Sequence, residues 1–201
     1  MNLAASGHPT ALSLKRAASP AERRQAMDFV RREYLRVYNT EPGEPGTLWY
    51  AADGPDVVAT VGVDLGTADV PPELHRMYGC DAVEVAPGYA PDRAAQITRW
   101  VSTAPFAATA VMHAAADWCL ERGRPHLLFE AKPDIVRHLE GLGPHLRPVT
   151  DATLRFDQVP LPDFDYYMSD PPPRLYHLHA STLVGHLRPV LEQLAGGAGH
   201  G

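Results

Sequence analysis

Between Pro105 and Gly123 the chain carries an apolar stripe, Phe106, Ala110, Val111, Ala114, Ala115, Trp118 and Cys119, at three- and four-residue spacing. The β-forming run His126-Leu127-Leu128-Phe129-Glu130-Ala131 follows almost at once. An amphipathic helix that turns straight into a short apolar strand must lay its stripe against the sheet that strand belongs to. That requirement narrows the fold to helices layered on a sheet. Gly123 suits the residue just past the helix end.

The rest of the chain supplies more of both layers. Ser19-Pro20-Ala21-Glu22 offers an N-cap, a proline at the first helical position and a glutamate at the third, so a helix is expected from there to about Tyr38. Its apolar positions, Ala26, Phe29, Val30, Tyr34, Val37 and Tyr38, leave Arg23, Arg24, Arg31, Arg32 and Arg36 as either a solvated face or a docking patch for an acidic partner. Leu48–Ala52 and Val57–Leu65 flank Asp53-Gly54-Pro55-Asp56 and read as an antiparallel hairpin. Pro71 to Gly79 reads as one short helix. Ala82 to Ala86 reads as a strand that holds Glu84 between Val83 and Val85 and breaks at Pro87-Gly88. Residues 87–103 are then a connection, and Pro133-Asp134 opens a helix that turns Ile135, Val136, Leu139 and Leu142 inward. The last third alternates short β-like pieces, Thr153–Phe156 and the stretch around Tyr166-Tyr167, with proline-rich turns before a final helix over Val184–Leu194. The expected class is α/β (α+β): a mixed, mostly antiparallel sheet flanked by helices. It forms a single domain over 19–195, with flexible tails over 1–18 and 196–201.

Composition excludes several functions. A formal charge of −6 is the wrong sign for a general nucleic-acid binder. Cys80 and Cys119 lack CxxC spacing, so neither a disulfide framework nor a zinc ribbon is expected, and a reducing cytoplasm fits. His177, His179 and His186 have no accompanying carboxylate or cysteine spacing, so no metal is expected. His113 and Cys119 read as packing residues of the long helix. No apolar run is long enough for a transmembrane segment.

Four stretches, AMDFVRREYLRVYN, VEVAPGYA, RPHLLFEAKPDIVRHLEGLGPHLRPV and DYYMSDPP, together with the order of elements, give the chain a family likeness. It resembles the GNAT-type acyltransferases, and more narrowly their branch of autoinducer synthases, N-acyl amino acid synthases and thermostable-hemolysin-like proteins. Leu142-Gly143 with Pro148 stands where that branch has its leucine-glycine turn. The glycine-rich pyrophosphate loop of ordinary members is missing, since the region before the long helix reads Gln96 to Pro105 without it.

The resemblance implies transfer of an acyl group, expected to be fatty, from a thioester to the amine of an amino acid, an amino-acid-derived metabolite or a peptide side chain. No cofactor would be tightly bound; the acyl thioester, on acyl carrier protein or coenzyme A, is a co-substrate. Glu84 would take the proton of the incoming ammonium, its flanking valines raising its pKa by desolvation. Tyr89 would donate to the leaving thiolate, and Tyr166 and Tyr167 would do so or line the acceptor pocket, unless these aromatics only pack. The backbone at Val85 and Ala86 would hold the pantetheine arm. Arg93 and Arg99, with the arginine-rich first helix, would face an acidic carrier protein. Ser102 and Thr103 would offer N–H groups to a phosphate or cap the long helix. Glu130 would bind the acceptor amine or cap the helix after it. Ala107, Ala108, Ala114, Ala115 and Ala116 leave room for a tunnel or permit close packing. The alternative reading is a non-catalytic acyl-chain-binding or membrane-active, hemolysin-like protein.

Overall fold

The computed structural model describes residues 12–197. Strand β1 (Ser13–Arg16) leads into helix α1 (Pro20–Tyr38), followed by the hairpin β2 (Thr47–Asp53) and β3 (Asp56–Leu65). After the short α2 (Glu73–Met77) come β4 (Ala94–Ser102), α3 (Pro105–Glu121), β5 (His126–Ala131) and α4 (Pro133–Gly141). Strand β6 (Arg147–Pro148), α5 (Phe164–Met168), β7 (Arg174–His179) and α6 (Ala180–Gly197) complete the chain. The seven strands form one sheet in the order β1-β2-β3-β4-β5-β7-β6. Every pairing is antiparallel except β4 with β5.

Local signals that carry their own hydrogen bonds fold as expected. The Ser19 hydroxyl accepts from the Glu22 N–H at 3.2 Å while the Glu22 carboxylate accepts from the Ser19 N–H at 3.0 Å, a reciprocal cap worth about 1 kcal/mol. Helix α1 closes at Asn39, whose left-handed backbone (φ 52°) returns its N–H to Leu35 O. The hairpin turns at Gly54, φ 58°.

Helices α3, α4 and α6 cover one face of the sheet, where Val111, Ala115 and Leu187 meet Val61, Val63, Ile97, Leu127 and Leu178. On the other face, α1 packs Met27, Phe29 and Val30 against Leu48 and Tyr50. A third cluster joins α2 and α5 to Leu128 and Leu175. Ala107, Ala115 and Ala116 have no exposed surface and serve close packing in the core, whereas Ala108 lines a hollow.

The structure corrects several element assignments. The strand expected at Ala82–Ala86 is β4 at Ala94–Ser102, inside the segment expected to be a connection. Residues 83–86 have no strand partner; Val83 and Val85 instead pack on the α2/α5 cluster. Part of the tail expected over 1–18 is the edge strand β1, with Ser13 opposite Ala52 and Arg16 opposite Trp49. Residues 1–11 and 198–201 of the two expected tails lie outside the described residues, while Gly196 and Gly197 belong to α6. Thr153–Phe156 forms no strand, and Tyr166 and Tyr167 sit on a helix. No helix among the described residues is long and apolar enough to cross a membrane.

Candidate active site

Strands β4 and β5 run side by side for only three pairs, Ala94 with His126, Ala95 with Leu127 and Gln96 with Leu128. Beyond Gln96, β4 remains paired on its β3 side alone, and there it bulges: Thr60 faces Val101 while Gly62 faces Thr98, which leaves one extra residue on β4. Arg99 absorbs the bulge with φ 50°. The two parallel strands therefore part, and a pocket passes through the sheet between them. Tyr34 and Tyr38 of α1, Arg99, Glu130 and Tyr166 line it on one face; Met112, Leu127, Phe129, Leu139 and Leu183 line it on the other. Its unfilled volume is about 80 Å³.

The polar half of the pocket centres on Glu130, which β5 delivers at the point where β4 has left. Burial raises its carboxyl from the ordinary 4.5 to about 7; the Tyr167 hydroxyl, which donates to Oε2, and the Arg99 guanidinium oppose that rise, while Asp163 and Glu73 add to it. Arg99 is itself held in place: Nε donates to Gly43 O at 3.0 Å, and Cζ lies 5.7 Å from the centre of the Tyr34 ring. Burial pushes the Tyr34 phenol up to about 12 against the pull of Arg99. Tyr38 and Tyr166 meet edge to face at 5.1 Å, and Lys132 Nζ lies over both rings, at 5.6 and 4.9 Å. Glu130, its carboxyl raised toward neutral pH by burial, thus sits in an aromatic wall with the Arg99 guanidinium beside it and the Lys132 ammonium over the Tyr38 and Tyr166 rings.

A second hollow, about 280 Å³, opens at the end of β4 and the start of α3. It is lined by Trp100, Ser102, Thr103, Ala104, Ala108, Ile135 and His138, and shares Trp100 and Ile135 with the pocket in the gap. The N-cap of α3 is Ala104, and no side chain caps that end. Neither Ser102 nor Thr103 is the cap. Ser102 Oγ donates to the backbone at Val58 and Ala104, and Thr103 hydrogen-bonds Val58 O through its N–H and hydroxyl.

The residues singled out from the sequence divide cleanly. Arg99, Glu130 and Tyr166 converge on the pocket, with Tyr167 behind Glu130 as its hydrogen-bond donor. Glu130 does not cap α4, whose N-cap is Lys132 without a side-chain bond. Glu84 is exposed in the loop before β4, so the desolvation expected of it has no basis. Val85 packs on the α2/α5 cluster and Ala86 lines a different cavity. Tyr89 lies between His75, whose Nδ1 is 3.0 Å from the phenol oxygen, and the His126 ring. Arg93 is exposed at the start of β4, at the closed end of the gap, and reaches Gly88 O. Sequence reasoning missed Tyr34, Tyr38 and Lys132; the i,i+4 spacing of the two tyrosines on α1 was the signal available for them. It also overstated the free basic face of α1: Arg23 and Arg31 pair with Glu44, and Arg32 and Arg36 with Glu33.

One parallel pair splays beside a bulged strand in a sheet otherwise antiparallel, and the fold matches GNAT-like neighbours among solved structures. No family model and no curated protein sequence matches the chain. Among solved structures, TofI in a ternary complex with an inhibitor and MTA superposes with a TM-score of 0.61 at 13% identity, over 90% of this chain and 98% of that one. FeeM, an N-acyl amino acid synthase from uncultured soil microbes, gives 0.55 at 15% identity over 90% and 97%. MesI, a CoA-dependent acyl-homoserine lactone synthase, gives 0.54 at 12% identity over 90% and 95%. The chain shares the fold of these proteins over nearly its whole described length.

Proposed function

We propose that this protein is an N-acyltransferase that moves an acyl group from a thioester to an amine, with Glu130 as the base. The observation that carries this reading is a half-buried carboxylate, pushed up to about 7 by desolvation, on a pocket that pierces the sheet where β4 and β5 part. The like-folded synthases FeeM and MesI support it.

The thioester arm enters from the hollow beside α3 and lies along the unpaired edge of β4, whose backbone N–H groups polarise the carbonyl. Either coenzyme A or a carrier protein delivers the same arm, and the α3 N-terminus faces an approaching phosphate. The acyl group turns into the apolar half of the pocket. The acceptor ammonium binds on the α1 side, drawn by Glu130, Glu73 and Asp163, while Arg99 receives an anionic group such as an amino-acid carboxylate. Ionised Glu130 removes one proton from the ammonium, and the neutral amine attacks the carbonyl carbon. As the C–N bond forms and the C–S bond breaks, the second amine proton passes to the leaving sulfur through the Tyr34 or Tyr166 hydroxyl. The products are an amide and a free thiol.

The pocket volume speaks to the acyl group. A space of about 80 Å³ is roughly half of the ~150 Å³ cavity that accepts a benzene ring. It takes a short acyl chain as it stands and a fatty chain only if Met112 or Leu183 moves. The test is thiol release from acyl-coenzyme A and acyl-carrier donors, with and without pooled amino acids, in wild type and Glu130→Gln. Amine-dependent release that the variant loses supports the reading. Absence of such release from every donor, or full turnover in the variant, overturns it.

A further inference from the structure

At the end of the sheet where β5 begins and β7 ends, opposite the open end of the gap, lies a cavity of about 470 Å³ that the acyl-transfer reading does not use. Six basic or titratable side chains converge on it: His126 from β5, His177 and His179 from β7, His186 from α6, Arg147 from β6, and His145 from the loop between α4 and β6. No carboxylate among the described residues lines it. Among the described residues the one acidic group paired with any of the six is Glu140 of α4, 3.5 Å from His145 Nδ1.

The floor has a defined proton arrangement. His126 Nε2 is 3.0 Å from Gly88 O, and a carbonyl only accepts, so that nitrogen carries the proton. His126 Nδ1, 3.0 Å from His177 Nε2, is then the acceptor of the His177 N–H. Burial keeps both rings neutral at pH 7, and His126, His179 and Arg147 help to hold His177 down at about 4. Arg93, the remaining charged group bearing on the floor, also disfavours charge on His126. The rim is different: His145, His179, His186 and Arg147 are all exposed. Thr182, in the first turn of the 18-residue α6, lines the same space, so the positive end of that helix faces it.

This lining selects among ligands. No three described His, Cys, Asp or Glu side chains are placed to hold a metal ion. Arg147 and the helix end disfavour an organic cation, and the polar wall disfavours an apolar guest. An anion meets a guanidinium, several imidazole N–H groups and a helix N-terminus, with no lining carboxylate to repel it. The space also exceeds what one tetrahedral ion fills.

We propose that this cavity binds a phosphate-class dianion, free or borne on a small molecule, among Arg147, His145, His179 and His186 at the start of α6. The anion favours the charged form of each rim imidazole, so binding takes up protons and strengthens as the pH falls.

The experiment is calorimetric titration of the full chain at fixed ionic strength with inorganic phosphate, glycerol phosphate and sulfate, with the histidine ring signals followed by NMR. Sulfate serves the pH arm because its own charge does not change between about pH 6 and 8. The expected result is saturable one-to-one binding that shifts the His179 and His186 rings. Sulfate should bind roughly tenfold more tightly at the lower pH, and affinity should fall at least about tenfold in both Arg147→Gln and His186→Gln. Both side chains are exposed, so the variants retain the core. Tighter binding of glycerol phosphate than of phosphate assigns the site to an organic phosphate; the reverse assigns it to the free ion. No saturable binding of any probe, or binding indifferent to both substitutions, overturns the proposal.

Discussion

Glu130 holds a carboxylate where burial disfavours its charge, and that has opposite consequences for stability and activity. Its pKa of about 7 in the fold exceeds the ordinary 4.5, so between those values the native state binds more protons than the unfolded chain. Stability contributed by the neutral form is present below about pH 4.5 and is lost as the pH rises through about 7. Glu130→Gln should therefore unfold at a higher urea midpoint than wild type at pH 8, with a smaller or absent gain at pH 5; an equal gain at both pH values would mean that ionisation is not the cause. With Glu130 as the proposed base, turnover runs the other way, since that base must be ionised: it should fall as the pH drops below about 7, and the Gln variant should lose about a hundredfold or more. Tyr167→Phe removes a donor that favours the charged form, so the acid limb of the pH–rate profile should move to higher pH. A limb that stays in place would detach Tyr167 from the titration. In the sequence, Glu130 shows only as a polar end to an apolar run, compatible with a cap or a contact. Glu84 was the candidate that the family resemblance singled out, with two flanking valines to desolvate it, yet flanking residues imitate burial only if the segment joins a sheet.

At the scale of elements, α1 and the β2–β3 hairpin were legible because their signals are local: a capping box and an Asp-Gly turn make their bonds within a few residues. Strand β4 was not. Its β-forming residues Ile97, Thr98, Trp100 and Val101 are interrupted by Arg99, and the partners that make it a strand, β3 and β5, begin 38 residues before it and 32 after, at Asp56 and His126. The interruption is the bulge itself, so the feature that opens the gap is also the one that hides the strand. Gly62 supports that bulge from β3: a Cβ there would sit 2.7 Å from Thr98 Oγ1 and 2.8 Å from Pro45 Cβ. Neither contact is with a freely swinging side-chain end. Gly62→Ala should cost about 1–3 kcal/mol in urea denaturation and should also lower acyl transfer measured well below the unfolding midpoint, because β4 must shift to make room. Lost stability with unchanged transfer would show that the bulge tolerates displacement.

At the scale of the whole molecule the sheet acts as a partition, open where β4 and β5 part. Helices α3, α4 and α6 make an apolar compartment on one side; α1 and α5 bring tyrosines to the other, where Arg99, Glu130 and Lys132 also lie. In the proposed reaction a thioester carbonyl set in the opening would have hydrocarbon behind it and the acceptor before it, and the side chains under the sheet would set chain length. The resemblance read from the sequence implies a fatty chain, whereas the small volume favours a short one, and Leu183 decides between the two expectations. Its side chain is 2% exposed and lines the deep wall. Leu183→Ala should cost about 2–5 kcal/mol of stability and at the same time extend the compartment. With a series of acyl donors from two to twelve carbons, wild type should turn over the shortest fastest, and the variant should shift its optimum upward by several carbons while losing rate on the short chains. Thermal unfolding measured alongside keeps the comparison to temperatures at which both proteins are folded. If wild type prefers ten or twelve carbons, Met112 and Leu183 must move aside on binding, and the resting volume does not set the substrate. If the variant's optimum stays where it was, the acyl chain does not lie in this compartment, and the division of the site between the two faces of the sheet fails.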